Sequence, residues 1–354
     1  MTSRERLTAV LARRLPDRVP MVDIAFWPQT LERWRREGLP ADVEPGAYFG
    51  LDEMSGVGLD CSLQLPERTL EETADYRIVV DRNGVTTKEW RDTFATPGQL
   101  EFTITDADAW RAHRERLRPD PTRISDAAWQ SYRDGRARDA FVYLNPGEPF
   151  WRLLRIVGHE TALLWVAEQP ELVAEILADY TDFIIANCDM TVAAGLECDG
   201  VWLFSDLCYK NGMLFSPRAY RELLQPHHRR MAEMCRRRGW PFILHCDGDV
   251  RQFIPLLIES GFDCIQPLEA RAGNDVRELK PLYGDRIVFF GNINADAMAR
   301  GGEELEAEVR SKLLAAKPGG GYIYHSDHSI PPTISFESYR RVIELVRELG
   351  RYEE

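Results

Sequence analysis

The stretch Pro241-Phe-Ile-Leu-His-Cys-Asp-Gly-Asp249 decides the fold of this chain. It begins as an apolar run of strand type and ends in a histidine, a cysteine and two aspartates, which the packing of a strand does not explain. In a barrel of alternating strands and helices, chemistry is located at the C-terminal ends of the strands. A second strand end of this kind is Gly321-Tyr-Ile-Tyr-His-Ser-Asp-His328, and three of the seven histidines of the chain fall in these two stretches.

Strand-like and helix-like segments alternate regularly from residue 140 onward, with short connections between them. Such alternation predicts a parallel sheet with right-handed crossovers. The predicted strands lie at 18–26, near 57–64, and at 141–144, 200–204, 241–245, 263–267, 286–290 and 321–325. We therefore predict an α/β fold, a single (β/α)8 TIM barrel that spans residues 1–354 as one domain and has an elaborated N-terminal region.

The N-terminal half departs from this alternation. Residues 60–137 are predicted to be an insertion in the barrel or an elaborated edge of it. Within them we expect a hairpin with strands at 72–80 and 84–91, because Asn83-Gly84 supplies the positive φ angles of a tight turn. We also expect a helix at 106–116 that Thr105 caps.

Composition excludes several classes of protein. The chain has 354 residues, 44% of them hydrophobic, which is ample for a buried core. Its net charge of −13 argues against a nucleic-acid surface, which needs a basic stripe. The seven cysteines are scattered without a CxxC pair, as expected of reduced thiols in a cytoplasmic protein. The sequence contains no run of about 18 apolar residues, so it predicts no membrane span, and we expect no apolar signal core at the N-terminus.

Several segments of the C-terminal half carry a resemblance to a known family. They are Ser216-Pro-Arg-Ala-Tyr-Arg-Glu-Leu-Leu-Gln-Pro226, His245-Cys-Asp-Gly-Asp249, Gly261-Phe-Asp-Cys-Ile-Gln-Pro267 and Tyr283-Gly-Asp-Arg-Ile-Val-Phe-Phe-Gly-Asn-Ile293. As an ordered set over roughly residues 140–350, they resemble the uroporphyrinogen decarboxylase superfamily. That superfamily includes the decarboxylase itself and zinc methyltransferases that demethylate a methylated corrinoid protein. The N-terminal half matches more loosely, at Asp17-Arg-Val-Pro20 and Tyr48-Phe-Gly-Leu-Asp52.

The N-terminal segment helps to choose between these two branches. Decarboxylases of the superfamily carry an arginine-rich segment that grips the acidic side chains of the substrate. The corresponding segment here, Ile24-Ala-Phe-Trp-Pro-Gln-Thr30, has no arginine. Because a tetrapyrrole with many carboxylates needs such cations, the chain resembles the methyltransferase branch rather than the true decarboxylase.

The resemblance also implies a metal site. The methyltransferases bind zinc with a His-x-Cys pair and a further cysteine after the last strand. In this sequence His245 keeps the first position, Asp247 stands at the second and His328 at or beside the third. Such a nitrogen and carboxylate set suits zinc, but it also suits iron or manganese. Cys246 is either a ligand, if the strand end bends, or points away from the barrel axis.

Strand geometry is consistent with this assignment. Residues two apart in an extended strand end point to the same side, about 6.6 Å apart at roughly 3.3 Å per residue. His245 and Asp247 have this spacing. A third ligand from the last strand end would complete a catalytic site with one open position. The alternative interpretation is a strand-end pair that caps the next helix, a role we assign to Asp249 rather than to Asp247.

Other strand ends supply candidate catalytic residues. Asp206, Glu269 and Asn292 each follow a predicted strand and face the mouth of the predicted barrel. Asp206 is either an acid or a loop cap, Glu269 an acid, a ligand or a solvated charge, and Asn292 a substrate contact or the residue that orients a loop. His325 is a weaker candidate, and His227-His228, among charged neighbours, is predicted to be a solvated helix face.

The predicted function is a metal-dependent methyltransferase. It would move a methyl group between a corrinoid (cobalamin-type) protein, or a methoxylated compound, and an acceptor such as tetrahydrofolate or a thiol. The implied cofactors are zinc or another divalent metal and a protein-bound methylcorrinoid, and the substrate is a small molecule. The alternative is a decarboxylase or lyase that acts on a small or tetrapyrrole acid. A third class, a binding protein that has lost catalysis, would not be expected to keep so many acids and histidines at strand ends. The oligomeric state stays open.

Overall fold

The computed structural model describes residues 1–91 and 97–352. The strands in chain order are β1 (Met54–Gly58), β2 (Arg68–Glu72), β3 (Tyr76–Val80), β4 (Val85–Trp90), β5 (Gly98–Phe102), β6 (Phe141–Asn145), β7 (Gly200–Phe204), β8 (Cys208–Tyr209), β9 (Gly212–Met213), β10 (Phe242–His245), β11 (Cys264–Gln266), β12 (Val288–Phe290) and β13 (Tyr322–Ile323).

The α-helices are α1 (Ser3–Leu11), α2 (Pro28–Glu37), α3 (Pro45–Tyr48), α4 (Ala107–His113), α5 (Asp126–Ala137), α6 (Pro149–Val157), α7 (His159–Glu168), α8 (Pro170–Ala193), α9 (Pro217–Ala219), α10 (Gln225–Arg238), α11 (Ile254–Ser260), α12 (Val276–Tyr283), α13 (Ala295–Arg300), α14 (Gly302–Ala316) and α15 (Phe336–Leu349). A π-helical turn, Tyr220–Leu224, joins α9 to α10, and 3-10 turns occur at Arg114–Arg116, Pro121–Arg123 and Ala270–Ala272. No helix in the described part of the chain is long and apolar enough to cross a membrane.

A curled parallel sheet with helices around it confirms the predicted fold class. Its strands are neighbours in the order β1, β6, β7, β10, β11, β12 and β13. The eighth place belongs to the predicted first strand at 18–26, which is an extended segment with isolated bridges rather than a continuous ladder. Met21 bridges to Tyr324 on one side, and its carbonyl accepts a hydrogen bond of 2.6 Å from Asp52 N–H, just before β1, on the other. Pro20 has no N–H to offer a neighbour, which limits the ladder.

Side chains alternate between the barrel interior and the helix layer, as the period of a strand requires. The interior contains a cluster that includes Phe141, Trp202, Ile243 and Phe290. Leu7 of α1, fully buried, packs into this cluster with its helix neighbours, so α1 closes the end of the barrel from which the strands begin. The opposite end, where the strands finish, is the mouth.

The N-terminal elaboration contains a separate antiparallel sheet, β2-β3-β4-β5. The predicted hairpin is confirmed, since β3 and β4 pair through a turn in which Gly84 has φ of +75°. Of the predicted insertion at 60–137, residues 92–96 lie outside the described part of the chain. The predicted cap of the helix after it was wrong, because Asp106 rather than Thr105 accepts the hydrogen bond, from Ala109 N–H at 2.8 Å.

The strand expected near 57–64 is shorter and earlier than predicted, at β1. β1 ends at Gly58, and two residues further on the carboxylate of Asp60 accepts hydrogen bonds from the backbone N–H of Ser62, at 2.9 Å, and from its hydroxyl, at 2.6 Å. Such a local bond folds the chain into a turn, which competes with the extended ladder.

Candidate metal centre at the barrel mouth

Two adjacent strand ends bring three candidate ligands together. β7 leads into Asp206, and β10 ends at His245, which lies beside Phe204 in the parallel register. One ligand atom from each of Asp206, His245 and Asp247 lies within 4.8 Å of the others. His245 Nε2 is 3.7 Å from Asp206 Oδ1 and 3.9 Å from Asp247 Oδ2. These distances are too long for hydrogen bonds but suit groups that surround a common ion.

The orientation of His245 is set from behind. Its Nδ1 lies 2.5 Å from the Oε1 atom of buried Gln266. Because an amide oxygen only accepts, Nδ1 carries the proton, and in the neutral ring the lone pair is on Nε2, facing the two carboxylates. The ring also stacks on Phe204, with centroids 5.1 Å apart and planes at 28°. A histidine held in this way presents the nitrogen that a metal would bind.

Asp247 is poorly satisfied by the protein alone. Its backbone N–H donates to Asp206 Oδ1 at 2.9 Å, but its own Oδ1 atom is buried and has no hydrogen-bond partner in the described part of the chain. Burial raises the pKa of Asp247, and the negative charges of Asp206 and Glu269 raise it further, against the opposing effect of His245 and His328. A carboxylate in this position would be stabilised by a bound cation, so the residues fit a divalent metal.

The loops that carry these ligands pack tightly against each other. Gly248, with φ of +90°, lies so close to Tyr209 that a Cβ atom there would be 2.7 Å from its backbone. Its N–H donates to Glu269 Oε2 at 3.0 Å, which places the half-buried Glu269 next to the ligand loop. Asp249 instead pairs with Arg251 and accepts its backbone N–H at 3.1 Å. The prediction that Asp249 caps the next helix was wrong, because that helix, α11, begins at Ile254 and its N-cap position is Phe253.

Asn292 is fully buried and fully engaged. Its Oδ1 atom accepts from Val276 N–H at 2.9 Å, and its Nδ2 atom donates to the carbonyls of Leu268 and Asn274 at 2.7 and 2.9 Å. Of the two roles predicted for it, the orientation of loops is the one that its contacts fit.

The residues that follow the last strand do not supply the third ligand that the sequence predicted. His328 is exposed and lies outside the three-residue group, although it is close enough for its charge to lower the pKa of Asp247. Asp206, predicted as a catalytic acid, has the third position instead. The neighbouring His325 is buried, its pKa is lowered by that burial, and its Nε2 atom accepts from Ile24 N–H at 3.3 Å. Asp327 accepts from the backbone N–H groups of Ala270 and Ala295, so it joins loops.

Cys246, which the sequence left open as a ligand, faces away from the mouth. It belongs to the core between the sheet and the helices and is fully buried. Burial raises the pKa of its thiol well above the usual range, and the nearby Cys208 raises it further. A buried, protonated thiol is a poor metal ligand.

The prediction of a solvated helix face at His227-His228 was wrong. Both side chains are buried, and His228 Nε2 donates to the fully buried Glu148 at 2.9 Å. Helical spacing could have indicated this, because Met231 and Cys235 lie on the same stripe of α10 and are buried with them. Glu148 was missed, although it follows β6 closely and so occupies the same kind of strand-end position as the other candidates.

Fold and site define the class: a (β/α)8-barrel protein with a candidate metal group at the carboxyl ends of its strands. The sequence profile of uroporphyrinogen decarboxylase (URO-D) matches residues 145–349, and the chain belongs to this family.

Proteins with two different activities are similar to this chain. A methylated-thiol–coenzyme M methyltransferase of Methanosarcina mazei is 32% identical over 116 residues, which cover 33% of this chain and 30% of that protein. A uroporphyrinogen decarboxylase of Saccharopolyspora erythraea is 29% identical over 198 residues, which cover 53% and 52%. The chain thus spans about half or less of the length of these relatives. A solved methyltransferase structure from Methanosarcina mazei shares the fold, with a TM-score of 0.62 at 16% identity over 98% of this chain and 99% of that one.

Proposed function

We propose that the protein is a metal-dependent methyltransferase. It would move a methyl group between a corrinoid protein, or a methoxylated compound, and an acceptor such as tetrahydrofolate or a thiol. The observation that supports this most is the group of Asp206, His245 and Asp247 at the mouth. Two of its members, His245 and Asp247, lie at the end of β10, where the superfamily's methyltransferases, which the sequence resembles, have the His-x-Cys pair that binds zinc.

Asp206, His245 and Asp247 would hold the metal, and His328 would remain near it as a further ligand or a proton-handling neighbour. One nitrogen and two carboxylates form a harder set than histidine with thiolates, so zinc, iron or manganese would suit it. A bound divalent cation supplies a Lewis acid that makes an acceptor group easier to deprotonate at neutral pH.

The residues of the chain itself would prepare the site. Gln266 keeps the proton of His245 on Nδ1, and Asp247 N–H fixes the orientation of the Asp206 carboxylate. Glu269, half-buried beside the ligand loop, is the candidate proton donor or acceptor. The side chains of Tyr143 and Phe204, packed against the interior cluster and partly exposed, would form an apolar floor for a small substrate.

A decarboxylase or lyase is the second candidate, because decarboxylases are among the chain's relatives. Two observations weigh against a polyacidic tetrapyrrole as its substrate. The mouth already holds the carboxylates of Asp206, Asp247 and Glu269, which would repel one. The nearest arginine after the segment at 24–30 is Arg33, and its side chain is occupied by Glu37 and the carbonyl of Pro332. A catalytically inactive binding protein is the third candidate.

Replacement of His245 by alanine tests the proposal. We expect wild-type protein, purified without chelator, to contain about one divalent metal per chain and to demethylate methylcobalamin, used as a probe, in the presence of a thiol or tetrahydrofolate. His245→Ala should lose both, and its thermal unfolding should stay close to that of the wild type, because a rim ligand contributes little to the core. His159→Ala, which removes an exposed histidine at the start of α7, is the matched control and should change neither.

Full metal content and full activity in His245→Ala would rule out the site. Release of CO2 from a small acid by metal-free protein would favour the lyase. Metal binding without any turnover would favour the binding protein.

A further inference from the structure

Glu148 is a buried carboxylate that joins three elements of the barrel. Its Oε1 atom accepts from Phe150 N–H at 3.0 Å and from His228 Nε2 at 2.9 Å. Its Oε2 atom accepts from Trp151 N–H at 2.6 Å and from the Ser205 hydroxyl at 2.8 Å. One side chain thereby ties the first turn of α6 to α10 and to the end of β7.

The partner of Glu148 is held from its other side as well. The Ser260 hydroxyl donates to the Leu256 carbonyl at 2.6 Å, and the Tyr220 hydroxyl lies 2.8 Å from the Ser260 hydroxyl. The Tyr220 hydroxyl also lies 2.9 Å from His228 Nδ1, so the histidine ring is hydrogen-bonded at both of its nitrogens. Burial alone would raise the pKa of Glu148, but the hydrogen bonds and charge of His228 and the backbone N–H groups lower it below its usual value, so the carboxylate is ionised.

A buried carboxylate–histidine pair of this kind is a costly way to stabilise a fold, because apolar residues of similar volume often do as well or better. What apolar residues cannot supply is a directional bond to Ser205. Ser205 directly precedes Asp206, and its backbone N–H donates to the His245 carbonyl at 3.0 Å. Ser205 thus joins the two neighbouring strand ends that carry the candidate ligands Asp206 and His245. Only 1% of its surface is exposed.

We propose that Glu148 and His228 form a positioning pair which, through the hydroxyl of Ser205, holds Asp206 and His245 at the separation that a metal requires. The role of these ligands rests on the proposed function. The pair touches neither the metal nor the substrate, so it would act only through geometry. Removal of a group that orients metal ligands typically lowers metal affinity by about 10- to 100-fold.

The test uses Co2+ as the probe, because its visible absorption reports ligand geometry as well as binding. Ser205→Ala removes the link and leaves the hydrogen-bonded pair of Glu148 and His228 in place, so it should bind Co2+ about 10-fold more weakly, with an altered absorption band. Ser205→Thr keeps the hydroxyl and should restore both. Glu148→Gln should weaken binding by about 10- to 100-fold. Arg6→Gln is the control: it breaks the buried pair with Asp52 at the closed end of the barrel, so it should lower the unfolding temperature and leave Co2+ affinity unchanged.

Unchanged Co2+ affinity and absorption in both Ser205→Ala and folded Glu148→Gln would overturn the positioning role. If the wild-type protein binds no Co2+, the proposed function fails, and a crystal structure of Ser205→Ala decides the remaining question. Displacement of the Asp206 carboxylate relative to His245 would support the positioning pair, and an unmoved carboxylate would refute it.

Discussion

Replacement of Asp247 by asparagine is expected to stabilise the metal-free protein and to abolish metal binding. The Asp247 carboxylate has a buried, unpartnered oxygen in the described part of the chain and a pKa raised by burial and by Asp206. An amide of nearly the same shape carries no charge, so the substitution removes repulsion and leaves the packing as it is. The same change removes a ligand oxygen of the proposed site.

The magnitude follows from the geometry. Unit charges 4.8 Å apart, the limit within which the ligand atoms of the three-residue group lie, repel by about 3.5 kcal/mol at an effective dielectric constant of 20 and by about 0.9 kcal/mol in bulk water. The side chains of Asp206 and Asp247 are 41% and 34% exposed, and His245 offsets part of the repulsion, so we expect a gain of about 1 kcal/mol. Metal at 100 times its dissociation constant stabilises the folded wild type by about 2.7 kcal/mol. The variant, which does not bind the metal, lacks this stabilisation.

The order of stability should therefore reverse. Thermal unfolding in the presence of a chelator should show Asp247→Asn above the wild type, and unfolding in excess Zn2+ should show it below. Asp249→Asn is the matched control, because that carboxylate is paired with Arg251 and lies outside the group, so its Zn2+ response should equal that of the wild type. The reasoning is refuted if Asp247→Asn is less stable than the wild type without metal, or if Zn2+ raises its unfolding temperature as much.

Three further predictions concern other parts of the chain. Burial lowers the pKa of His227 to about 4, below the value of about 6.5 in the unfolded chain, so the unfolded state binds the extra proton between these pH values. The unfolding free energy should therefore fall from pH 6.5 to 4 more steeply in the wild type than in His227→Gln, and parallel curves from urea titrations would contradict this. Leu7→Ala, in the helix that closes the barrel, should cost about 2–5 kcal/mol in urea unfolding and leave metal content unchanged, whereas a loss below 1 kcal/mol would mean that α1 is not part of the core. The pure protein should not decarboxylate uroporphyrinogen, and CO2 release from that substrate at ordinary enzymatic rates would disprove the argument from the missing arginines.

The strand ends were the most predictable part of the molecule. A polar residue directly after an apolar strand has few structural reasons to be there, and this rule alone places Asp206, His245 and Asp247 at one rim. The alternation of interior and outer side chains also predicts that Cys246 faces the helices, as it does.

Residues that act through distant partners were harder to predict. Helical spacing could have indicated that His228 is buried, but nothing near it in sequence reveals that its partner is Glu148, 2.9 Å away. The two N-terminal segments that match the superfamily loosely, at 17–20 and 48–52, gave no sign in the sequence that they are in contact. In the structure, Arg18 Nη1 lies 2.7 Å from Asp52 Oδ2, and the same carboxylate accepts Met21 N–H at 2.8 Å. The position of His328 depends on the path of a loop, which strand periodicity does not determine.

The closure of the barrel between Met21 and Tyr324 has a consequence for how the protein is made. The segment that completes the sheet is synthesised early, but its partner emerges from the ribosome about three hundred residues later, at roughly 5–20 residues per second. Until then β1 is paired with β6, but the growing sheet has an unpaired edge on each side. Unpaired edges can pair with strands of other chains, which leads to aggregation. We expect nascent chains that stop before residue 324 to depend on chaperones in a way that the finished protein does not.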